Sequence, residues 1–227
     1  MSFSTSSDPN CQLAMRAGTQ GLSGFTGVTL LGLTGAVVIL LSSSKTAIFL
    51  WVNDHTSPAW DPLFRWGTFL GDGWVFAGAL LPLLLWRRWP YWAGLTAAAL
   101  LTLFTSASLK TLYQEEKRPV AFFEERGQNL RLVPGVETHS YRSFPSGHTM
   151  TAFACLGFLA GAFRYPWLQG ILAVLAWQVA YSRMYLAQHF LLDVTVGAAL
   201  GLIIAGVSFR SVSYLARRFS VSPTNAS

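Results

Sequence analysis

The sequence predicts an all-α membrane protein, a bundle of six transmembrane helices with its working residues at one membrane face. Three observations predict it. The 227-residue chain is 52% hydrophobic and only 11% charged, too apolar for an ordinary soluble domain. Six stretches contain about 20 mostly apolar residues, the length that crosses a bilayer. Trp51, Trp60, Trp66, Trp86, Trp89 and Trp167 fall near the ends of those stretches, as an aromatic belt does. Trp74, Trp92 and Trp177 lie deeper and are expected to pack inside.

Residues 1–23 read as an N-terminal tail. Their first twenty residues, "MSFSTSSDPNCQLAMRAGTQ", are polar and lack the basic start and short apolar core of a signal peptide. The first span is expected over 24–42. The apolar piece "AIFLWVN" (47–53) is too short to cross and is expected to lie in the interface. The second span is expected over 66–86 and the third over 89–109, joined by the tight turn "RRW" (87–89), which makes them antiparallel neighbours. The long connection 110–146 follows, and a loop of that length usually carries function. The fourth, fifth and sixth spans are expected over 147–163, 167–185 and 189–209. Residues 24–210 thus form one membrane domain, and 211–227 a C-terminal tail. Cys11 and Cys155 lie far apart and indicate neither a disulfide framework nor a metal cluster.

The net charge of +6 does not point to nucleic acid, because the basic residues are not gathered on a soluble face. Anionic lipid headgroups are the natural partners. With six spans both termini share a side, together with Arg16, Arg87, Arg88, Arg164, Arg210, Arg217 and Arg218. The opposite side holds more Lys and Arg, largely because 110–146 is basic. Several of those cations are expected to bind substrate rather than to report topology, so the side of the termini is read as cytoplasmic.

Three polar stretches then meet on the other side. "SFPSGHT" (143–149) opens the fourth span. Pro145 and Ser146 are helix-start residues, and Gly147 allows close approach, so exposed N–H groups at the positive end of a helix form an anion site. His148 stands beside it and can move a proton near neutral pH. In "SRMYLAQHFLLD" (182–193), His189 and Asp193 are four apart and share a face if helical. The carboxylate can hold one imidazole nitrogen and leave the other as nucleophile or base. In "LKTLYQEEKRP" (109–119), Lys110 and Arg118 supply cations, and Arg183 offers another planar fork for phosphate oxygens. Taken singly, an interfacial Arg is an anchor and an i,i+4 His/Asp pair a structural hydrogen bond. Together, so close to apolar spans, they are expensive unless used. The combination fits phosphoryl transfer.

These residues resemble the type 2 phosphatidic acid phosphatases, the PAP2 or lipid phosphate phosphatase superfamily. Its motifs are Lys-x6-Arg-Pro, Pro-Ser-Gly-His and Ser-Arg-x5-His-x3-Asp. The second stands here as Pro145, Ser146, Gly147 and His148, and the third as Ser182, Arg183, His189 and Asp193. The first departs, with seven residues rather than six between Lys110 and Arg118–Pro119; the extra residue is expected to be absorbed where the helix unwinds. The resemblance implies a PAP2-type bundle in which His189 is the nucleophile, oriented by Asp193. His148 would then be the general acid. Lys110, Arg118 and Arg183 would bind phosphate, assisted by Ser146 and the Gly147 N–H. No metal or other cofactor is implied. The implied substrate is a phosphorylated membrane lipid: a polyprenyl diphosphate, a lipid A phosphate, phosphatidylglycerol phosphate or phosphatidic acid.

A lipid-to-lipid phosphotransferase, a non-catalytic transporter or scaffold of the same fold, and a vanadate-dependent haloperoxidase are the competing readings. The presence of both histidines opposes the second, and the apolar spans oppose the third. Short tails and compact size suggest a bacterial inner membrane with the site facing the periplasm. Glu115, Glu116, Glu124 and Glu125 read as a solvated loop face, and His55 and His139 as loop residues outside the chemistry. Asp72 in "LGDGW" lies inside the second span, about 9 Å from its outer end at ~1.5 Å per residue. A carboxylate there should be paired or line a wet cavity. It is expected to hold Lys110 or another phosphate-binding cation, with Gly71 and Gly73 permitting close helix approach.

Overall fold

The structure, a computed structural model, describes residues 22–85 and 89–220. Residues 1–21 of the expected N-terminal tail, residues 86–88 with most of the "RRW" stretch, and residues 221–227 lie outside them. The described chain is all-helical: α1 (Ser23–Ser42), α2 (Lys45–Asp54), α3 (Asp61–Gly67) running into a 3₁₀ turn (Thr68–Gly71), α4 (Trp74–Leu85), α5 (Trp89–Leu112), α6 (Pro119–Glu124), α7 (Gly147–Ala160), α8 (Pro166–Tyr185) and α9 (Leu191–Ser220).

Local chemistry sets many of these boundaries. Ser44 caps α2 by accepting from the Ala47 N–H, and Ser146 caps α7 by accepting from the Thr149 N–H. Proline occupies the first turn of α3, α6 and α8, where its missing N–H has no partner to lose. At the start of α9, Asp193 reaches back to accept from the Phe190 N–H at 2.9 Å, the acid half of a capping box.

Each of the six stretches expected to span contains helix, but they are not six equivalent spans. Among the described residues, only Ser23–Ser42, Pro90–Leu112 and Leu191–Val212 are long and apolar enough to cross alone. The second span is broken: α3 with its 3₁₀ turn meets α4 at a 58° bend, and the pair makes a fourth crossing if taken together. The fourth expected span is only the 14-residue α7. The sixth runs on to Ser220, into the stretch expected to be a tail. The piece expected to lie in the interface is helix α2, which buries Phe49, Val52 and Asn53.

α7 is the centre of the bundle, with eleven of its fourteen residues buried. It packs against α9, α8 and α5, while α1 covers α8 and α9. Glycines let α9 press onto α7: a Cβ on Gly197 would meet the Ser146 carbonyl oxygen at 2.7 Å, and one on Gly201 the Met150 oxygen at 2.6 Å. Around this core, α1, α5 and α9 turn Leu31, Leu41, Leu103, Phe104 and Ile203 outward. An apolar outer face is what a lipid-solvated bundle presents. Trp177 packs as expected, edge-on to Phe153. Trp74 does not; at the start of α4, beside the break, it is 82% exposed.

Candidate active site

The three motif stretches converge at one end of the bundle on a cavity of ≈ 400 Å³. Lys110, Arg118, His148, Arg183 and His189 all line it. Each is delivered by a helix end. Lys110 is in the last turn of α5, which stops at Leu112, so the chain unwinds between Lys110 and Arg118 and accommodates the longer spacing. Arg118 is the N-cap of α6, His148 the second residue of α7, and Arg183 sits in the last turn of α8.

The cations are held from behind. Arg118 is buried; its Nε donates to the Tyr141 carbonyl at 3.0 Å and its Nη1 to Gln188 Oε1 at 2.7 Å. Burial pulls its pKa below the ordinary value, opposed by the Asp193 carboxylate, and a guanidinium remains charged. Arg183 donates from Nη1 to Thr68 Oγ1 at 2.9 Å, while its buried Nε has no hydrogen-bond partner among the described residues. An unpaired donor in a buried guanidinium is costly, and it is a group that an anion would satisfy. Lys110 Nζ lies near Gly147: a Cβ there would come within 3.4 Å of it.

His189 is 1% exposed, and its Nδ1 faces Asp193 Oδ2 at 3.5 Å. The two do not share a helix face, as the spacing suggested. His189 precedes α9 and Asp193 is in its first turn, so the capping bond to Phe190 folds the carboxylate back toward the ring. Ser143 Oγ donates to the same carboxylate oxygen.

Ser146 does not line the cavity. It is fully buried, and its Oγ receives the Thr149 N–H and, at 2.9 Å, the Thr149 hydroxyl. The Ser146 hydroxyl caps α7. Gly147 likewise is absent from the lining. Asp72 lies at the break between the 3₁₀ turn and α4, and its ion-pair partner is not Lys110. Oδ1 is 2.9 Å from Nε2 of His148. Gly71 supplies close approach, since a Cβ there would meet the His148 oxygen at 2.6 Å, whereas Gly73 faces open space.

Ser143, Thr68 and Gln188 were missed in the sequence. Adjacency to the Pro-Ser-Gly-His motif and to His189 was the available signal for Ser143 and Gln188. Thr68, one helical turn before Asp72, carried none. His139, set aside as a loop residue, lines the cavity with Arg65 and Glu137. His55 is elsewhere, its Nδ1 against the Trp51 oxygen, and Lys117 pairs with Glu125 on an exposed loop face. The long connection is tied down beside the cavity. Asn53 exchanges two hydrogen bonds with the Arg131 backbone, and the Arg131 guanidinium forks onto Asp61 at 3.0 and 2.7 Å. Tyr185 donates to the same Asp61. Among the described residues, no group of three or more His, Cys, Asp or Glu is placed to hold a metal ion.

Residues 74–217 match the PAP2 superfamily. A lipid A 4'-phosphatase of Bacteroides thetaiotaomicron is 27% identical over 172 residues, 73% of this chain and 75% of that one. The crystal structure of Aquifex aeolicus LpxE superposes with a TM-score of 0.63 at 30% identity, covering 73% of this chain and 94% of that chain. A PAP2-type phosphatidylglycerolphosphate phosphatase from Bacillus subtilis shares the fold at 24% identity, with a TM-score of 0.52 over 89% of this chain and all of the other.

Proposed function

The chain belongs to the PAP2 superfamily, and from that premise we propose that it is an integral-membrane lipid phosphatase acting on a lipid A phosphate through a phosphohistidine. The observation that carries this reading is the convergence in one cavity of two histidines, each beside a carboxylate, with Lys110, Arg118 and Arg183. The choice of lipid among the candidates leans on the Bacteroides relative, a lipid A 4'-phosphatase.

In the proposed reaction the three cations hold the non-bridging phosphate oxygens and stabilise the charge that spreads over them. Asp193 holds Nδ1 of His189, leaving Nε2 to attack phosphorus. The bond from phosphorus to the leaving oxygen breaks as the N–P bond forms, and His148 gives that oxygen a proton. Water then attacks the phosphohistidine, His148 takes its proton, and inorganic phosphate leaves. Cations of the chain do the work of charge stabilisation, so the reaction needs no metal. The cavity opens at the periplasmic face of a bacterial inner membrane.

Phosphate release by purified protein from a panel of lipid A phosphate, phosphatidylglycerol phosphate, phosphatidic acid and a polyprenyl diphosphate tests the reading. Lipid A phosphate should be the best substrate, EDTA should leave the rate unchanged, and orthovanadate should inhibit. Transfer of phosphate to a second lipid instead of water would make the protein a phosphotransferase. Loss of activity in EDTA, restored by Mg²⁺, would overturn the metal-free route.

A further inference from the structure

We propose that Asp72 is the positioning carboxylate of His148, giving the proton-transferring histidine a partner of its own just as Asp193 serves His189. The inference rests on the reading of His148 as the group that protonates the leaving oxygen. It adds a residue that lies outside all three motif stretches.

The geometry is direct. Asp72 Oδ1 lies 2.9 Å from His148 Nε2, and both side chains are partly sheltered. The backbone on each side of Asp72 is tied: its N–H donates to the Phe69 oxygen at 3.0 Å, and its oxygen accepts from the Val75 N–H at 3.0 Å. Gly71, the preceding residue, packs on the His148 backbone closely enough that no side chain would fit. One residue therefore sets the distance between the segments, and the next reaches the ring. Thr68, one turn earlier, accepts from Arg183. The short stretch 68–72 thus buttresses two cavity residues, and the break in the second span is what turns it toward them. A carboxylate reaching for the membrane surface would have no reason to meet His148.

Charge supplies the need. The cavity that His148 lines is shared with Arg65, Lys110, Arg118 and Arg183, and with His139 and His189. Glu137 also lines the cavity, and Asp193 is engaged at His189. A proton carried on His148 adds positive charge to a site built from cations. Asp72 provides the negative charge in contact with it and fixes the ring by one nitrogen, so that Nδ1 handles the proton.

The test compares full-length wild type with Asp72→Asn, Asp72→Glu, His148→Ala and the double variant Asp72→Asn/His148→Ala. Each is assayed on lipid A phosphate and on an aryl phosphate, whose leaving group needs little protonation. Asp72→Asn should lower kcat on the lipid by about 10- to 100-fold, the scale for losing a group that orients a working histidine. KM should change little, the loss should shrink on the aryl phosphate, and Asp72→Glu should recover part of the rate. In the His148→Ala background the same change should have almost no further effect, because coupled residues are non-additive. Equal losses on both substrates, full additivity in the double variant, or wild-type kcat in Asp72→Asn would overturn the positioning role. If His148→Ala itself shows no dependence on the leaving group, it is the role of His148 that fails. Should Asp72→Asn not fold, Asp72→Glu decides: a kcat loss confined to the lipid supports the role, and an equal loss on both substrates refutes it.

Discussion

Of the histidines that line the cavity, His189 and His148 are held in opposite ways. His189 and its carboxylate are buried, 2% and 7% exposed in their side chains, and come from one short stretch of chain joined by a helix cap. His148 and Asp72 are 33% and 29% exposed and come from segments 76 residues apart. The difference follows from what each does on the proposed route. A nucleophile bonds to phosphorus in place and gains from a fixed, dry ring. A group that gives a proton and takes one back must keep contact with water. On that proposed route a sequestered pair serves the attack and an accessible pair the proton transfer.

The contrast breaks most severely at His189. His189→Ala should abolish phosphate release from every substrate, aryl phosphates included, because no leaving group compensates for a missing nucleophile. Residual turnover that tracks leaving-group quality would exchange the two roles. His148→Ala is the next largest effect, slowing lipid hydrolysis by ~10²–10⁴-fold, the usual scale of acid catalysis. The deficit should be far smaller on an aryl phosphate; a uniform deficit would remove His148 from proton transfer.

A smaller change sharpens the role of the supports. Thr68→Val removes the acceptor that holds Arg183. A hydrogen bond of about 1 kcal/mol corresponds to roughly a fivefold rise in KM. A change in kcat alone would mean that Arg183 acts only in the transition state. The smallest effect belongs to the loop beside the cavity. Arg131→Met breaks a partly exposed ion pair with Asp61 and should lower thermal stability in detergent by about 1 kcal/mol, with kcat nearly unchanged. A large loss of kcat would make the 110–146 connection part of the catalytic geometry.

The sequestered pair was legible in the sequence because its parts are local. His189, Asp193 and Arg183 lie within eleven positions, and a cap and a helix end need only local chemistry. The helical segments were legible too, from apolar length alone. Asp72 was visible as an anomaly, a carboxylate inside an apolar run, but its partner was not. Hydropathy shows neither the 58° break nor the packing of Gly71 on His148, both of which depend on how α7 sits against its neighbours. Ser146 meets the same limit: its type suits a cap and an anion ligand equally well, and the bond from the Thr149 N–H is seen only in the structure. The limit also explains why the expected fourth span, 147–163, outruns α7: apolar residues that face other helices read the same as apolar residues that face lipid.

That enclosure of α7 bears on how the protein meets membranes of different thickness. Fourteen residues extend about 21 Å, well short of the ~30 Å hydrocarbon core. A helix walled in by protein need not match the acyl chains around it. The adjustment to a thicker or thinner bilayer falls on the lipid-facing α1, α5 and α9, which can tilt. The helix that carries His148 is thereby insulated, and turnover in vesicles should vary little with acyl-chain length until α5, which carries Lys110, can tilt no further without moving that cation from the phosphate.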